Sequence, residues 1–335
     1  MTHIPLGPGA EFDLIRRFYP VDATPGRVVR MADAVRVGAG DDCTIVRGEG
    51  IALSVDMSVE GVHFVREWLQ PEEIGYRAAA AALSDLAAVG ATPIGVLASL
   101  AIDESEAENA PRIIDGVRAA AAGVRAVLLG GDTSRTDGPM VVDIVVVGNA
   151  LRPLLRRGAR EGDSLWVTGE LGAAAAAVGA WRAGRTPEAA ARLAFALPTP
   201  RVAEAIWLAS RGAIDALIDI SDGLASDVEH IAAASDVRII IDAASVPIHP
   251  TVHAHTADYD HALRLALTGG EDYELCFAAP PGAVEHIAAS FLDTFDVALT
   301  CVGTVHAGSG VRLRIGGTVI DMPYAGHDHF TSNSQ

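Results

Sequence analysis

Ala-Leu-Ile-Asp-Ile-Ser-Asp-Gly-Leu, residues 216–224, carries a β-rich run directly into an acidic turn and then into a helical stretch. Residues 216–220 predict a strand, and Ser221 or Asp222 is expected to cap the helix that follows. The first half of the chain has a similar arrangement at residues 51–56, where an aspartate again ends a β-rich run. Acidic turns at strand ends are typical of α/β proteins, which place their ligands there.

The same alternation of β-rich runs and alanine-rich segments extends in both directions and predicts an α/β fold. Helices are expected at residues 71–89, 106–123, 171–183 and about 200–210, and the first two carry proline at or near the first turn. Strands are expected at residues 44–47, 51–55, 94–102, 126–129, 140–148, 164–168, 216–220, 238–241, 274–277, 298–303 and 311–315.

A change of composition at residues 151–163 divides the chain. Four arginines cluster there with Pro153 and two glycines, namely Arg152, Arg156, Arg157 and Arg160. With 335 residues the chain is long enough for two sizeable cores. We therefore expect one domain at residues 1–150 and a second at residues 151–335.

The charge of the chain excludes several classes of function. The formal net charge is −18, which argues against binding to nucleic acid or to anionic membranes. All 25 basic residues are arginine, so the chain has no lysine for a Schiff base, a general base or a P-loop. A kinase of the P-loop class is therefore excluded.

Cysteine usage and hydropathy predict the compartment. Cys43, Cys276 and Cys301 are odd in number and none of them form a CxxC spacing, which fits a reducing compartment. Residues 1–18 lack the basic region and apolar run of a signal peptide, and apolar stretches such as residues 141–147 are too short to span a bilayer. We expect a cytoplasmic protein that binds no membrane. Cys43 is expected to face a core and not to act as a nucleophile.

Acidic residues recur at predicted turns, and this recurrence carries the functional hypothesis. They stand in Gly40-Asp41-Asp42, Ser54-Val55-Asp56, Ser84-Asp85, Gly130-Gly131-Asp132, Asp219-Ile220-Ser221-Asp222-Gly223 and Gly269-Gly270-Glu271-Asp272. Carboxylate, hydroxyl and carbonyl oxygens are the ligands of Mg²⁺, and neighbouring glycines let backbone amides approach phosphate oxygens. Each element alone is also an ordinary turn former, and Asp222 is also a candidate helix cap. Their repetition in both halves favours a metal–phosphate site.

Longer stretches around these elements resemble the signatures of the thiamine-monophosphate kinase family. They are GDDC at residues 40–43, SVDMSVEGVHF at 54–64, LSDLAAVG at 83–90, GGDTSR at 130–135, IDISDGL at 218–224 and TGGEDYEL at 268–275. The stretches come in the family's order, extend the resemblance over essentially the whole chain and are jointly highly specific.

The resemblance implies the two-domain fold of the aminoimidazole-ribonucleotide synthetase superfamily. In that fold the N-terminal domain binds ATP and Mg²⁺ and contributes strands to a β-barrel shared by two protomers, and the C-terminal domain is α/β. The resemblance also implies a homodimer, several Mg²⁺ ions, and transfer of the γ-phosphoryl group of ATP to thiamine monophosphate. We expect direct transfer without a phosphoenzyme, because the phosphate monoester acceptor is already largely ionised at neutral pH.

Residue roles follow from the resemblance by matched position. The metal-binding set is Asp42, Ser54, Val55 through its carbonyl, Asp56, Asp85, Asp132, Asp219 and Asp222. The ATP-binding set is Gly131, Asp132, Arg156 and Ser221, and the substrate-binding set is His63, Glu271 and His327. Asp132 and Asp222 are the expected catalytic residues. Val55 stands where relatives often have threonine, and His327 stands where an aromatic residue is expected.

Three alternatives use the same acidic elements with different chemistry. The first is another ATP-using enzyme of the superfamily, such as aminoimidazole-ribonucleotide synthetase. Selenophosphate synthetase, a further member, is disfavoured because the N-terminal segment lacks the reactive cysteine that its chemistry requires. The second is a non-catalytic nucleotide- or metal-binding regulator, and the third is a metal-dependent phosphohydrolase. The segment that contains His63 favours the thiamine enzyme.

Four histidines, His249, His253, His255 and His261, form a loose group after Pro247. Histidine-rich segments can bind metals. Their irregular spacing next to proline instead favours a solvated loop.

Overall fold

A computed structural model describes residues 35–37, 42–46, 48 and 50–324 of the chain. Two β-sheets, each associated with helices, follow one another along the sequence. This architecture confirms the expected α/β fold. Within the described ranges, no helix combines the length and the apolar character that a transmembrane segment needs.

The N-terminal sheet has six strands in the order β1-β2-β3-β6-β4-β5. They are β1 Val35–Val37, β2 Thr44–Val46, β3 Ile51–Val59, β4 Thr92–Ile102, β5 Val127–Arg135 and β6 Val141–Asn149. β4 and β5 pair in parallel, and the other neighbouring strands pair antiparallel. The strands predicted in this half all exist, and β3 and β5 extend well beyond their predicted ends.

The Ser54-Val55-Asp56 element lies in mid-strand, so the prediction of a turn is wrong there. β3 pairs with β6 without interruption from residue 51 to residue 59, and this pairing outweighs local turn chemistry. Successive side chains on a strand point to opposite faces of the sheet. The side chain of Val55 lies on one face and is 62% exposed. Ser54 lies on the other face, where its hydroxyl reaches Asp85 of the covering helix.

The Gly130-Gly131-Asp132 element also lies inside a strand and not in the predicted turn. β5 continues to pair with β4 through these residues as far as Arg135, after a bulge before Gly130. A Cβ atom at Gly131 would meet the carbonyl of Ala98 on β4. Glycine therefore allows the two strands to approach here, and it does not form a turn.

Two helices, α1 Pro71–Ala88 and α2 Ala110–Gly123, cover one face of the N-terminal sheet. α1 matches its prediction and begins with a capping box formed by Gln70 and Glu73. α2 begins later than predicted because Glu104–Asn109 form a 3₁₀ helix. A Cβ atom at Gly75 or Gly116 would collide with the backbone of the facing helix, so these glycines allow α1 and α2 to pack closely.

The opposite face of the N-terminal sheet exposes apolar side chains. Val55, Val145 and Leu97 form one cross-strand row, and Met57 lies in the next row. Met57 is 52% exposed. We call these four residues the outer face. An exposed apolar surface on a sheet is typical of an interaction surface.

The C-terminal sheet has seven strands in the order β13-β12-β9-β11-β7-β10-β8. They are β7 Ser164–Thr168, β8 Ala216–Asp219, β9 Arg238–Asp242, β10 Leu275–Ala279, β11 Leu299–His306, β12 Gly310–Ile315 and β13 Thr318–Asp321. The helices of this half are α3 Ala173–Arg182, α4 Ala189–Ala196, α5 Val202–Arg211, α6 Leu224–Ser235, α7 Pro250–His255, α8 Tyr259–Thr268 and α9 Glu285–Phe295. The described strand pairs are antiparallel except for β9 with β12.

The predicted strands of this half are confirmed, as are the helices at α3 and α5. The predicted loop for the histidine group is wrong, because α7 and the start of α8 occupy this segment. The side chains of His249 and Asp258 cap these two helices, which explains how they begin in a segment without helical periodicity. Helices α4 and α9 were not predicted.

One apolar core continues from the N-terminal sheet through α1 to α3 and α4 of the second half. Phe195 of α4 and Leu83 of α1 belong to this core and are buried. The contact fixes the two halves against each other along one side of the molecule. Residues 150–163 contain no helix or strand, and the domain boundary placed there stays a prediction.

Candidate active site

A cleft of about 1020 Å³ lies between the two halves of the chain. Its walls come from β3 and the turn after it, from α1, α3 and α8, and from the loop between α8 and β10. Eight residues of the predicted site line this cleft: Val55, Asp56, His63, Asp85, Asp219, Ser221, Asp222 and Glu271. Residues separated by most of the chain therefore share one cavity.

Three carboxylates meet at one end of the cleft. Asp42, Asp85 and Asp219 each present an oxygen that lies within 4.8 Å of the others. Asp42 precedes β2, Asp85 lies near the end of α1, and Asp219 ends β8, so both halves of the chain contribute. The alanine-rich sequence of α1 allows it to pack closely on both halves, and residues 78–84 are buried.

Serine hydroxyls orient two of the three carboxylates. Ser54 Oγ donates to Asp85 Oδ2 at 2.5 Å, and Ser84 Oγ donates to Asp219 Oδ2 at 2.6 Å. Hydrogen bonds to a carboxylate are charge-assisted and short. The serine of each motif thus has a structural partner among the aspartates of the cluster.

Arg156 orients the third carboxylate. Its Nε and Nη2 donate to the two oxygens of Asp42 at 2.9 and 2.7 Å, in the bidentate geometry typical of arginine. Arg156 was predicted to contact ATP, and this pairing places its guanidinium at the carboxylate end of the cleft. Its role in binding ATP stays a prediction.

Burial raises the pKa of several carboxyls in the cleft. Burial, followed by the charges of Asp219 and Asp42, raises the pKa of Asp85 well above its ordinary range. The pKa of Asp219 rises to about 8, mainly through burial and then through Asp42. The pKa of Asp56 rises to about 6 through burial and the charge of Glu271. These shifts mean that burial, assisted by neighbouring carboxylates, disfavours the charged forms of Asp56, Asp85 and Asp219.

The cluster fits a hard divalent cation. Its possible metal ligands are carboxylate and hydroxyl oxygens, which Mg²⁺ prefers. The three residues that orient the carboxylates, Ser54, Ser84 and Arg156, include no soft sulfur ligand. A bound dication would favour the charged forms of Asp85 and Asp219 and so oppose the burial that raises the pKa of each. Asp42, Asp85 and Asp219 are therefore suited to hold Mg²⁺.

Two loops lie side by side at the edge of the cleft. The N–H of Glu271 donates to the carbonyl of Ser221 at 2.7 Å, and the N–H of Tyr273 donates to the carbonyl of Ile220 at 2.8 Å. Glu271 and Tyr273 have positive φ values of 64° and 51°. Non-glycine residues adopt this conformation at a cost, which is typical of functional loops. The hydrogen bonds join the IDISDGL and TGGEDYEL motifs into one unit.

Asp227 holds the loop after β8. Its carboxylate is 2% exposed and accepts hydrogen bonds from the N–H groups of Ser221 and Asp222, at 3.1 and 3.2 Å. The helix that follows has Gly223 as its N-cap, at a φ of 105°. The expected capping by Ser221 or Asp222 is therefore wrong, because the backbone needs glycine at the cap position.

Arg77 connects two residues predicted to bind substrate. It is 3% exposed, its guanidinium donates to the carbonyl of His63 at 2.9 Å, and it forms an ion pair with Glu271. His63 Nδ1 accepts a hydrogen bond from the N–H of Val59 at 3.1 Å, which in the neutral ring places the proton on Nε2. The hydroxyl of Tyr273 donates to Glu271 at 3.2 Å. His63 and Glu271 are thus fixed relative to each other.

Gly131 and Asp132 lie away from this cluster. Both are exposed on β5, which is separated from β3 by β6 and β4. With strands about 4.8 Å apart, three steps place them about 14 Å from β3. The described lining of the cleft does not include them, and their roles in binding ATP and metal stay predictions. His327 lies outside the described residues.

Arg77 and Asp227 are two residues of the site that the sequence did not predict. Arg77 precedes Ser84 by two helical turns and therefore lies on the same face of α1, which is the signal that could have pointed to it. Asp227 is an acidic residue in the first turn of α6, a position typical of carboxylates that contact backbone N–H groups. Neither belongs to a glycine-rich acidic element.

Comparison with known proteins agrees with this arrangement. Residues 40–150 match the N-terminal domain, and residues 160–316 the C-terminal domain, of AIR synthase related proteins. The thiamine-monophosphate kinase of Escherichia coli K12 is 34% identical over 337 residues, covering 96% of this chain and 98% of that protein.

Solved structures agree as well. AaThiL complexed with AMPPCP and TMP is 28% identical with a TM-score of 0.79, over 96% of this chain and 97% of that one. The thiamine-monophosphate kinase of Stenotrophomonas maltophilia K279a is 33% identical with a TM-score of 0.74, over 93% of this chain and 98% of that one.

The two matched domains and the cleft between them define a protein of the AIR synthase related class. The similarity extends over nearly the full length of the kinases named above. The chain belongs to the thiamine-monophosphate kinase family.

Proposed function

We propose that this protein transfers the γ-phosphoryl group of ATP to thiamine monophosphate, giving thiamine diphosphate and ADP. The observation that carries the proposal is the cleft, which has carboxylates from both halves of the chain at one end and His63 and Glu271 along its wall. A relative with 34% identity is named for this activity, and a structural neighbour was solved with AMPPCP and TMP. Both support the same reaction.

Asp42, Asp85 and Asp219 are the residues that would hold Mg²⁺. Ser54, Asp56, Asp222 and the carbonyl of Val55 are the further proposed ligands near this cluster, and Asp132 on β5 is a proposed ligand away from it. Bound Mg²⁺ supplies charge neutralisation for two polyanionic reactants and alignment for in-line displacement. Within this set, Asp222 and Asp132 are the proposed catalytic residues.

The side chains of the cleft bind and orient the reactants. His63 presents an Nε2 donor, and Glu271, fixed by Arg77, presents a carboxylate to the acceptor. Arg156, Ser221 and Gly131 are the proposed contacts to ATP. The acceptor phosphate has a second pKa near 6 and is largely ionised at neutral pH, so no general base is needed. Direct transfer follows, without a covalent phosphoenzyme.

We place this enzyme in the cytoplasm as a homodimer formed through the outer face. Val55 and Met57 expose apolar surface there, and within the described part of the chain β5 is the last strand of the sheet beside it. Exposed apolar rows and open strand edges are covered by partners in stable proteins. A second copy of the chain offers the same surface, which suits a closed two-fold contact. The dimer and the compartment are proposals that rest on this surface and on the cysteine pattern.

An acceptor panel tests the proposed reaction. ATP and Mg²⁺ are incubated with the enzyme and either thiamine, thiamine monophosphate or formylglycinamidine ribonucleotide, and products are followed by mass. Thiamine diphosphate formed from the monophosphate alone supports the proposal. Turnover of the ribonucleotide, or release of phosphate from ATP in the absence of any acceptor, overturns it.

A further inference from the structure

Three aromatic side chains from both halves of the chain meet beside the cleft. Trp68 ends the 3₁₀ helix Arg66–Trp68, Trp181 lies in the last turn of α3, and Phe195 lies in α4. The Trp68 and Trp181 rings stack at 4.8 Å with an interplanar angle of 10°. Phe195 meets both edge-on, at 6.5 and 5.4 Å. We call this group the aromatic wall.

The aromatic wall is not only a core feature. Phe195 is buried, but Trp68 is half-buried, and both line the cleft while Trp181 supports Trp68 from behind. Stacking on Trp181 fixes the plane of the Trp68 indole. A rigid aromatic surface that borders a ligand cleft is suited to stack on a planar ligand ring.

Arg77 fixes the distance between the aromatic wall and the polar part of the cleft. Its guanidinium lies 3.9 Å from the centroid of the Phe195 ring and also pairs with Glu271. The cleft therefore runs from the carboxylate cluster, past Glu271, to the aromatic wall. A ligand that fills it has a phosphate at one end and an apolar or cationic ring at the other.

We propose that Trp68, supported by Trp181, binds the heterocyclic rings of the acceptor and determines its specificity. This inference rests on the proposed function, in which the acceptor joins a phosphate to a cationic thiazolium and an aminopyrimidine. An indole face attracts a cationic heterocycle through its π-system and stacks on a neutral one. Trp68 thus recognises the ring end while the carboxylate cluster takes the phosphate end.

Substitutions at Trp68 test the inference through the two Michaelis constants. Trp68→Leu keeps apolar volume but removes the π-face, and we expect it to raise KM for thiamine monophosphate about tenfold with KM for ATP within about twofold of wild type. Trp68→Phe keeps a π-face and should recover most of the affinity. Trp207→Phe is the matched control, because Trp207 packs on Phe291 and Phe295 away from the cleft. Circular dichroism confirms that each variant is folded.

Fluorescence gives a second readout that does not depend on turnover. The chain has four tryptophans, and thiamine added to wild type and to Trp207→Phe should quench their emission with the same Kd. In Trp68→Phe the amplitude of this quenching should fall. Two results would overturn the role of Trp68 while wild type still makes thiamine diphosphate. They are an unchanged KM for thiamine monophosphate in Trp68→Leu and an unchanged quenching amplitude in Trp68→Phe. Wild type that makes no thiamine diphosphate instead overturns the proposed function.

Discussion

Ser84 donates a hydrogen bond to Asp219 at 2.6 Å, although the two residues lie 135 positions apart in the chain. Ser84 lies in α1 of the N-terminal half, and Asp219 ends β8 of the C-terminal half. Both are buried. The bond places Asp219 against Asp85, the next residue of α1, so the carboxylate cluster exists only when the two halves are assembled.

Loss of the Ser84 hydroxyl should lower both kcat and the free energy of unfolding. In Ser84→Ala, Asp219 keeps its charge but loses the donor that orients it, so we expect kcat to fall about 10-fold or more. The free energy of unfolding should fall by about 2 kcal/mol, because a hydrogen bond to a charged group contributes about 1.5–3 kcal/mol. Steady-state kinetics and urea denaturation measure the two effects. Unchanged kcat at saturating Mg²⁺ would contradict the positioning of Asp219 by Ser84.

Asp219→Asn should lower kcat and raise the stability of the metal-free chain. A metal-ligand carboxylate is lost, so kcat should fall at least about 100-fold. The metal-free chain should nevertheless melt at a higher temperature than wild type at pH 8, because burial makes the charged Asp219 costly. Asp293→Asn, at an exposed position of α9, is the matched control. A metal-free Asp219→Asn chain that is less stable than wild type would be the contrary result.

The pH dependence of metal-free stability should have a definite sign. The folded pKa of Asp219 is about 8, against an ordinary value of 3.8, so the folded chain binds more protons than the unfolded chain between these values. Its free energy of unfolding therefore falls as pH rises from about 4 to about 8. The melting temperature of Asp219→Asn minus that of wild type should grow across this range in EDTA. Saturating Mg²⁺ should reduce the dependence of this melting-temperature difference on pH. A difference that does not change with pH in EDTA would contradict the raised pKa of buried Asp219.

Much of the site could be predicted because its residues sit in compact motifs. Asp85, Asp219, Ser221 and Glu271 were each predicted from their own short stretch, and the structure brings all four to one cleft. Glycines and acidic residues next to each other mark such stretches regardless of the secondary structure around them. That secondary structure was predicted less well, since strand pairing places the Ser54-Val55-Asp56 element in mid-strand.

Contacts between distant segments could not be predicted from the sequence. Arg77 pairs with Glu271 across 194 positions, and nothing in either local sequence specifies the partner. Trp68, Trp181 and Phe195 come from three separate elements, so their meeting depends on the assembly of both halves. One sequence shows which residue types are present, and the fold decides which of them touch.

Replacing Arg77 should affect both stability and substrate binding. Arg77→Gln removes the partner of Glu271 and the cation above Phe195, and we expect a loss of about 3 kcal/mol in the free energy of unfolding. KM for thiamine monophosphate should rise while KM for ATP changes little, because Glu271 is proposed to contact the acceptor and not ATP. Arg77→Lys should recover part of the stability. Equal changes in both KM values would show that Arg77 acts on the whole cleft.

A charge on the outer face should separate the protomers. Met57 is 52% exposed in one chain, so Met57→Asp should leave the fold intact while it opposes burial between two copies. Analytical ultracentrifugation should then show a shift from dimer to monomer. Leu292→Asp is the control, because Leu292 is a similarly exposed apolar residue on α9. A dimer that persists in Met57→Asp and dissociates in Leu292→Asp would move the contact to another surface.

Direct phosphoryl transfer at the carboxylate cluster is tested by following the label of γ-labelled ATP in wild type and in Asp219→Asn, with thiamine monophosphate and Mg²⁺ present. We expect the label in the terminal phosphate of thiamine diphosphate with wild type, and we expect Asp219→Asn to form this product at least about 100-fold more slowly. Label recovered as free phosphate or bound covalently to the protein, or equal transfer by the two proteins, would contradict direct phosphoryl transfer at this carboxylate cluster.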